Sequence, residues 1–205
     1  MPTYAVIDFE TTGMAPNLGA RPTEIGVVLV RDGQIVDRYQ SLMNAGLSVP
    51  WEIQQLTGIT TAMVRAAPRV EQVMAEAAEF VGAHPLVAHN AAFDSKFWDA
   101  ELTRVGRSRP ADFICSLLLS RRIFPDAPNH KLGTLVSSLR LPDTGRFHRA
   151  LADAEATAHL FMRLDETLRQ RYQLKRVEHD LLLAIQKTPR SGLARCIGRY
   201  CGQAA

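Results

Sequence analysis

The sequence predicts an α/β fold, one mixed sheet flanked by helices, and two observations carry that expectation. Strand-like runs come first, at residues 4–7, 24–30 and 34–43, and only after them do short apolar runs alternate with helical periodicity. The chain has 205 residues, 46% hydrophobic and 22% charged, enough for one well-buried domain with roughly forty residues to spare.

Residues 4–7 form a short apolar run that ends in acids. Residues 24–30 are rich in β-branched side chains, and residues 34–43 alternate after the Asp32-Gly33 turn signal, so these two runs read as a hairpin. After Pro50, residues 51–56 make a short helical turn. Val70, Val73, Met74, Ala77, Phe80 and Val81 recur at helical spacing. Leu86-Val87-Ala88 reads as a buried strand closing on His89-Asn90, and Phe93, Phe97, Trp98, Glu101 and Leu102 carry the next helix. Residues 113–119 open as a strand and turn helical towards Arg122. Pro125 and Pro128 lie too close together for a helix interior, so that stretch is a loop. Residues 131–141 repeat apolar positions at three and four, residues 151–168 form a long Ala-rich helix, and residues 174–185 are amphipathic. A break at residues 188–192 leaves 193–200 as a short terminal piece.

Composition narrows the function classes. No apolar run approaches the roughly 18 residues of a membrane span, and the N-terminus lacks the basic and long apolar regions of a signal peptide. The expected location is cytoplasmic, with no membrane partner. Cys115, Cys196 and Cys201 are odd in number and show no C-x-x-C pairing, so neither a disulfide framework nor a zinc site is expected. The net charge is +3, unevenly spread: residues 163–205 hold nine Lys/Arg against four acids, leaving a slightly acidic body with a basic end. Such a tail suits an acidic partner, although many are simply solvated.

Three blocks carry candidate chemistry. In Val6-Ile7-Asp8-Phe9-Glu10-Thr11-Thr12-Gly13, strand alternation points Asp8 and Glu10 to one face at the exit of a central strand. Two carboxylates about 4 Å apart repel by about 4 kcal/mol at an effective dielectric near 20. A hard divalent cation with oxygen ligands is the natural counterion, while the plain alternative is a strand running into a polar turn. In Val87-Ala88-His89-Asn90-Ala91-Ala92-Phe93-Asp94, a second buried strand opens into a helix with an acid in its first turn. Asp94 reaches the same sheet edge if the strands are parallel neighbours, and otherwise serves the helix dipole. In His148-Arg149-Ala150-Leu151-Ala152-Asp153-Ala154, Asp153 falls at the edge of an apolar helical stripe, where small alanines allow close approach to a sheet. His148, at the helix entrance, projects over the acids or acts as an ordinary cap.

Together these blocks resemble the motifs of the DEDDh exonucleases, the DnaQ-like group that includes the proofreading epsilon subunit of bacterial DNA polymerase III. The resemblance runs from about Tyr4 to Leu164. It implies a ribonuclease H-like fold with a five-stranded mixed sheet flanked by helices, and an exonuclease domain at residues 1–165 followed by a basic helical extension at 166–205. It implies two divalent ions, Mg²⁺ or Mn²⁺, with Asp8 bridging both, Glu10 and Asp153 completing one site and Asp94 holding the other. His148 would be the general base. The backbone around Thr11 and Gly13 would meet the terminal 3′-hydroxyl, and Leu56 and Phe93 would flank the terminal bases. Thr57 stands where epsilon subunits commonly carry a histidine. Glu24 and Asn90 would support the site, and Lys131 would touch a phosphate or face solvent.

The expected substrate is a single-stranded or frayed 3′ end of DNA, with nucleoside 5′-monophosphates as products and a DNA polymerase as a possible partner. Two rival readings stay open: an RNA-trimming exonuclease of the ribonuclease T or oligoribonuclease kind, and a non-catalytic polymerase-associated module.

Overall fold

The computed structural model describes residues 3–145 and 148–203, with side chains up to residue 200. The elements run β1 (Tyr4–Thr11), β2 (Pro22–Arg31), β3 (Gln34–Leu42), α1 (Trp51–Thr57), α2 (Thr61–Ala66), α3 (Val70–Val81), β4 (Leu86–Ala88) and α4 (Asp94–Arg104). They continue with β5 (Ile114–Cys115), α5 (Ser116–Ile123), α6 (Leu132–Ser138), α7 (Ala150–Tyr172), α8 (His179–Lys187) and α9 (Leu193–Gln203). The five-stranded sheet has the order β3-β2-β1-β4-β5. β1, β2 and β3 pair antiparallel, and β4 and β5 continue parallel to β1. Asp32 (φ 52°) and Gly33 (φ 75°) both sit in left-handed backbone, which gives a two-residue hairpin turn the twist its strands need.

Side-chain alternation along β1 sorts the core into two layers. Ala5, Ile7 and Phe9 join Ile25 and Val27 of β2 against Val73, Met74 and Ala77 of α3 and Phe97 and Trp98 of α4. Tyr4 and Val6 join Val28 and Val30 on the other face, against Leu160, Phe161 and Leu164 of α7 and Leu119 of α5. Asp8 and Glu10 continue the Tyr4-Val6 row, so the sheet face covered by α7 changes from apolar to acidic within one strand.

α2 has no counterpart among the helices expected from the sequence. It is one of the shorter elements, started by Thr60, whose hydroxyl accepts from the Met63 N–H at 3.2 Å; six residues are too few to show a period. β5 is the strand opening expected within residues 113–119, and it is only two residues long because the chain turns helical at Ser116. The side-chain amide of Gln186 on α8 makes up the difference: it accepts from the Cys115 N–H at 2.8 Å and donates to the Phe113 carbonyl at 3.1 Å.

α7 runs through residue 165 without a break. Leu181, Leu182 and Ile185 of α8 and Leu193 and Ile197 of α9 are buried in the same core as Tyr4 and Val6. Cys115 is buried and Cys196 partly so, both as free thiols; the side chain of Cys201 lies outside the described residues. No helix among the described residues is long and apolar enough to cross a membrane.

Candidate metal centre and active site

Carboxylate oxygens of Asp8, Glu10 and Asp153 lie within 4.8 Å of one another. Asp8 and Glu10 meet because β1 is extended and they are two residues apart; Asp153 comes from the first turn of α7. What allows α7 to come so close is a residue on the neighbouring strand. Across the β1–β2 ladder, Asp8 faces Gly26 and Glu10 faces Glu24. A Cβ on Gly26 would sit 2.4 Å from both the Ala150 carbonyl carbon and the Leu151 nitrogen, closer than any side chain permits. The helix entrance rests directly on strand backbone.

Glu24 fixes that entrance. It is fully buried and receives Arg149 Nε at 3.1 Å, Arg149 Nη2 at 2.7 Å, the Ala150 N–H at 3.0 Å and Gln40 Nε2 at 2.8 Å. A carboxylate taking a bidentate guanidinium and a helix N-terminal N–H is a strong, charge-assisted arrangement. Asp153 does similar work from inside the helix, because its Oδ2 accepts from the backbone N–H of His148 at 2.7 Å and of Arg149 at 3.2 Å. These bonds hold His148 in left-handed backbone (φ 64°), a conformation uncommon outside glycine. Its side chain is exposed at the rim.

Asp94 enters from β4, which is the parallel neighbour of β1. It is buried, and its Oδ1 accepts from the Phe9 N–H at 3.2 Å, so it sits against the strand between Asp8 and Glu10 and stands apart from the tight trio. The turn leading to it uses Asn90 in left-handed backbone (φ 68°), whose carbonyl accepts from the Phe93 N–H at 2.8 Å. The Asn90 side chain is exposed; it shapes the turn through its backbone, and among the described residues it makes no hydrogen bond to the acids. His89 is tied down on both ring nitrogens, to Ser116 Oγ at 2.9 Å and the His130 carbonyl at 3.0 Å, and burial pushes its pKa down to about 4.

The acids raise one another's proton affinity. Burial, then repulsion from Asp94, Asp153, Glu10 and Glu24, lifts Asp8 well above the usual carboxylate range. Burial and the neighbouring Asp153 and Glu24 push Glu10 up to about 8, and burial pushes Asp94 up to about 7 despite its hydrogen bonds. Asp153 is raised by burial, with the His148 and Arg149 N–H groups opposing. Arg149 is committed to Glu24. The residues present fit a hard divalent cation: several oxygen donors, close together, with too little positive charge of their own.

Among the described residues, no hydrogen bond or ion pair links Thr11, Gly13, Leu56, Thr57 or Phe93 to the four acids. Thr11 is buried, with its hydroxyl donating to the Gly13 carbonyl at 2.6 Å; this tightens the turn after β1. Thr12 and Gly13 line a cavity of about 320 Å³ with Met14, Leu18 and Leu47. Leu56 is exposed on α1, and Phe93 is half-buried with its ring 5.0 Å from Phe97. Thr57 is buried and caps its own helix end, accepting from the Ile59 N–H at 3.0 Å. Sequence reasoning missed Gly26 and Arg149. A glycine amid β-branched residues was the available signal for the first; the second needed the pairing with Glu24.

The geometry makes a sharp prediction for Gly26. Gly26→Ala should destabilise the fold by about 1–3 kcal/mol through overpacking and weaken metal binding about tenfold or more as Asp153 is displaced. Denaturant unfolding and calorimetric metal titration would read these; unchanged metal affinity would mean that close seating of α7 is not needed.

Residues 5–161 match the RNase_T family, described as Exonuclease. The PolC-type DNA polymerase III of Bacillus cereus is 37% identical over 163 residues, which cover 79% of this chain and 11% of that protein. The 3′-5′ exonuclease DinG of Bacillus subtilis is 37% identical over 168 residues, 82% of this chain and 18% of DinG. The chain therefore spans less than a fifth of either relative. Among solved structures, Exonuclease X in complex with 5′ overhanging duplex DNA superposes with a TM-score of 0.70 at 26% identity, over 89% of this chain and 99% of that one. The nuclease domain of 3′hExo, a DEDDh family member bound to rAMP, has the same fold at 23% identity, with a TM-score of 0.68 over 86% of this chain and 96% of that one. The sheet and its covering helices are those of the ribonuclease H-like exonucleases, whose members use divalent metals, and this chain belongs to the exonuclease family.

Proposed function

We propose that this chain is a 3′→5′ exonuclease acting on DNA, hydrolysing the terminal phosphodiester to release a nucleoside 5′-monophosphate. The observation that carries the reading is the trio Asp8, Glu10 and Asp153, whose oxygens lie within 4.8 Å of one another with Asp94 beside them. Asp8, Glu10 and Asp153 would hold one divalent ion, and Asp8 with Asp94 would hold a second. When bound, two divalent ions, Mg²⁺ or Mn²⁺, would supply charge for the attacking and leaving oxygens of an in-line displacement.

The protein's part is positional. Asp8 and Glu10 are fixed by the strand, Asp153 by the helix entrance that Glu24 and Arg149 lock. His148, held by its backbone at the rim, takes a proton from the attacking water as the new P–O bond forms and the P–O3′ bond to the penultimate nucleotide breaks. The backbone at Thr11 and Gly13 receives the terminal 3′-hydroxyl, and Leu56 and Phe93 flank the last bases, a stacking contact worth about 1–3 kcal/mol per base.

The DNA assignment is supported by PolC and DinG among the relatives and by the duplex DNA held by Exonuclease X. A polymerase partner and a cytoplasmic location belong to the same proposal, with the residues from 166 onward as the attachment. Matched DNA and RNA oligonucleotides with free or blocked 3′ ends provide the test. Shortening of unblocked DNA, one nucleotide at a time and abolished by EDTA, is the expected result. Faster loss of RNA would overturn the substrate, and no metal-dependent cleavage would overturn the activity.

A further inference from the structure

Beside the turn that delivers Asp94 lies a groove of about 610 Å³, lined by His89, Asn90, Arg121, His130 and Lys131 among others, with no carboxylate in its wall. A second hollow of about 370 Å³ shares Asn90 and Arg121 with it and extends past Ala92 and Ser95 at the start of α4; its wall also holds Asp112, ion-paired with Arg109 at 3.3 Å. Sharing Asn90, Leu117 and Arg121, the two make one continuous track beside the turn that delivers Asp94.

Two cations face this track without partners. Arg121 and Lys131 are both exposed, and no hydrogen bond or ion pair among the described residues engages either side chain. Arg21, Arg38, Arg109 and Arg149, by contrast, are each held by a carboxylate. The backbone that presents them is well anchored. His89 ties the end of β4 to Ser116, the first residue of α5, and to the His130 carbonyl. His130 in turn bonds the Phe124 carbonyl at 3.0 Å, and Asn129 Oδ1 accepts from the Lys131 N–H at 2.9 Å. The loop around Pro125 and Pro128 therefore ends at a fixed point, with Lys131 projecting from it.

We propose that this track holds phosphodiester groups of the substrate strand upstream of the bond being cut, with Arg121 and Lys131 as the anion-binding pair. The inference rests on the proposed nucleic-acid substrate. The physical need is plain: a cluster of acids repels a polyanion, so the strand must gain its attraction outside the cluster, from cations that no acid of the protein neutralises. A planar guanidinium and a mobile ammonium offer a fork and a point charge to successive phosphates. The track would recognise backbone and not base, giving length dependence without sequence preference.

The test compares the double variant Arg121→Gln/Lys131→Gln with the wild type and with Arg31→Gln, an exposed charge at the far end of the sheet. A dinucleotide and a dodecanucleotide of deoxythymidine serve as probes. Equilibrium binding of the dodecanucleotide, followed by fluorescence anisotropy in EDTA across a salt series, should weaken about tenfold per lost contact. The log–log salt slope should fall by about 0.7 for each phosphate released. In cleavage assays KM for the dodecanucleotide should rise with kcat little changed, while KM for the dinucleotide, too short to enter the track, stays with the wild type. An unchanged salt slope, or an equal KM rise on both probes, would overturn the track. Because binding is read without turnover, a wild type that cuts nothing refutes the proposed activity and leaves this measurement to judge the groove alone.

Discussion

Asp8→Asn should abolish cleavage and at the same time make the metal-free protein more stable. Both effects follow from one cause. Asp8 is repelled by Asp94, Asp153 and Glu10 together, a cost that ions would offset and that an amide removes. Loss of a ligand central to the proposed ion sites forfeits several kcal/mol of charge stabilisation in the transition state, a rate loss of about 10³-fold or more at tenfold per 1.4 kcal/mol. Relief of repulsion should raise the melting temperature by about 2–4 °C for each kcal/mol gained.

The sign of the pH dependence follows from the raised carboxyls. Glu10, at about 8, and Asp94, at about 7, keep protons in the metal-free fold at pH values where the unfolded chain has already lost them. They favour folding at low pH, and that contribution fades as the pH climbs from about 4 through about 8. Metal-free protein should therefore melt lower at pH 8 than at pH 5, Mn²⁺ or Mg²⁺ should restore the difference, and the variant should show a flatter profile. Thermal melts with and without EDTA at several pH values read all three. A variant less stable than the parent at pH 8 would mean that the acids are not in conflict, and the case for bound cations would weaken with it.

His148→Ala should lower kcat by about 10²–10⁴-fold with metal affinity close to that of the parent. The imidazole lies at the rim while the backbone N–H carries the structural bond to Asp153, so trimming the side chain leaves that bond in place. The left-handed backbone at this position (φ 64°) tolerates alanine less well, and His148→Asn supplies the control, since asparagine adopts that region more readily. Single-turnover rates on a short DNA strand, beside metal titration, separate chemistry from binding. A rate within a few-fold of the parent for both variants would remove the histidine from proton transfer.

Much of this was legible in the chain because period and chemistry coincide. Alternation along residues 4–10 puts apolar and acidic side chains on the same row, and helical spacing puts Asp153 at a stripe edge, so both survive being read one residue at a time. Asp94 required the further inference that β4 lies parallel to β1, which the strand–helix order supports. What escaped was non-local or too short to repeat. Arg149 acquires its role only by meeting Glu24 across 125 positions. Gly26 matters for what it lacks, which periodicity does not register. Asn90, expected as a support, sits in left-handed backbone with its side chain exposed, an arrangement that no periodicity announces. α2, six residues long, was beyond reach for lack of length.

The amide of Gln186 on β5 has a consequence for solubility. Sheet borders with unspent N–H and C=O groups recruit strands from other molecules. Here the Phe113 carbonyl and the Cys115 N–H are already occupied by a side chain that a helix holds in place, so this border gives an incoming strand little to zip onto. Shortening the protein ahead of α8 would strip that cover and bare the apolar floor beneath it, turning a quiet edge into a nucleus for self-association.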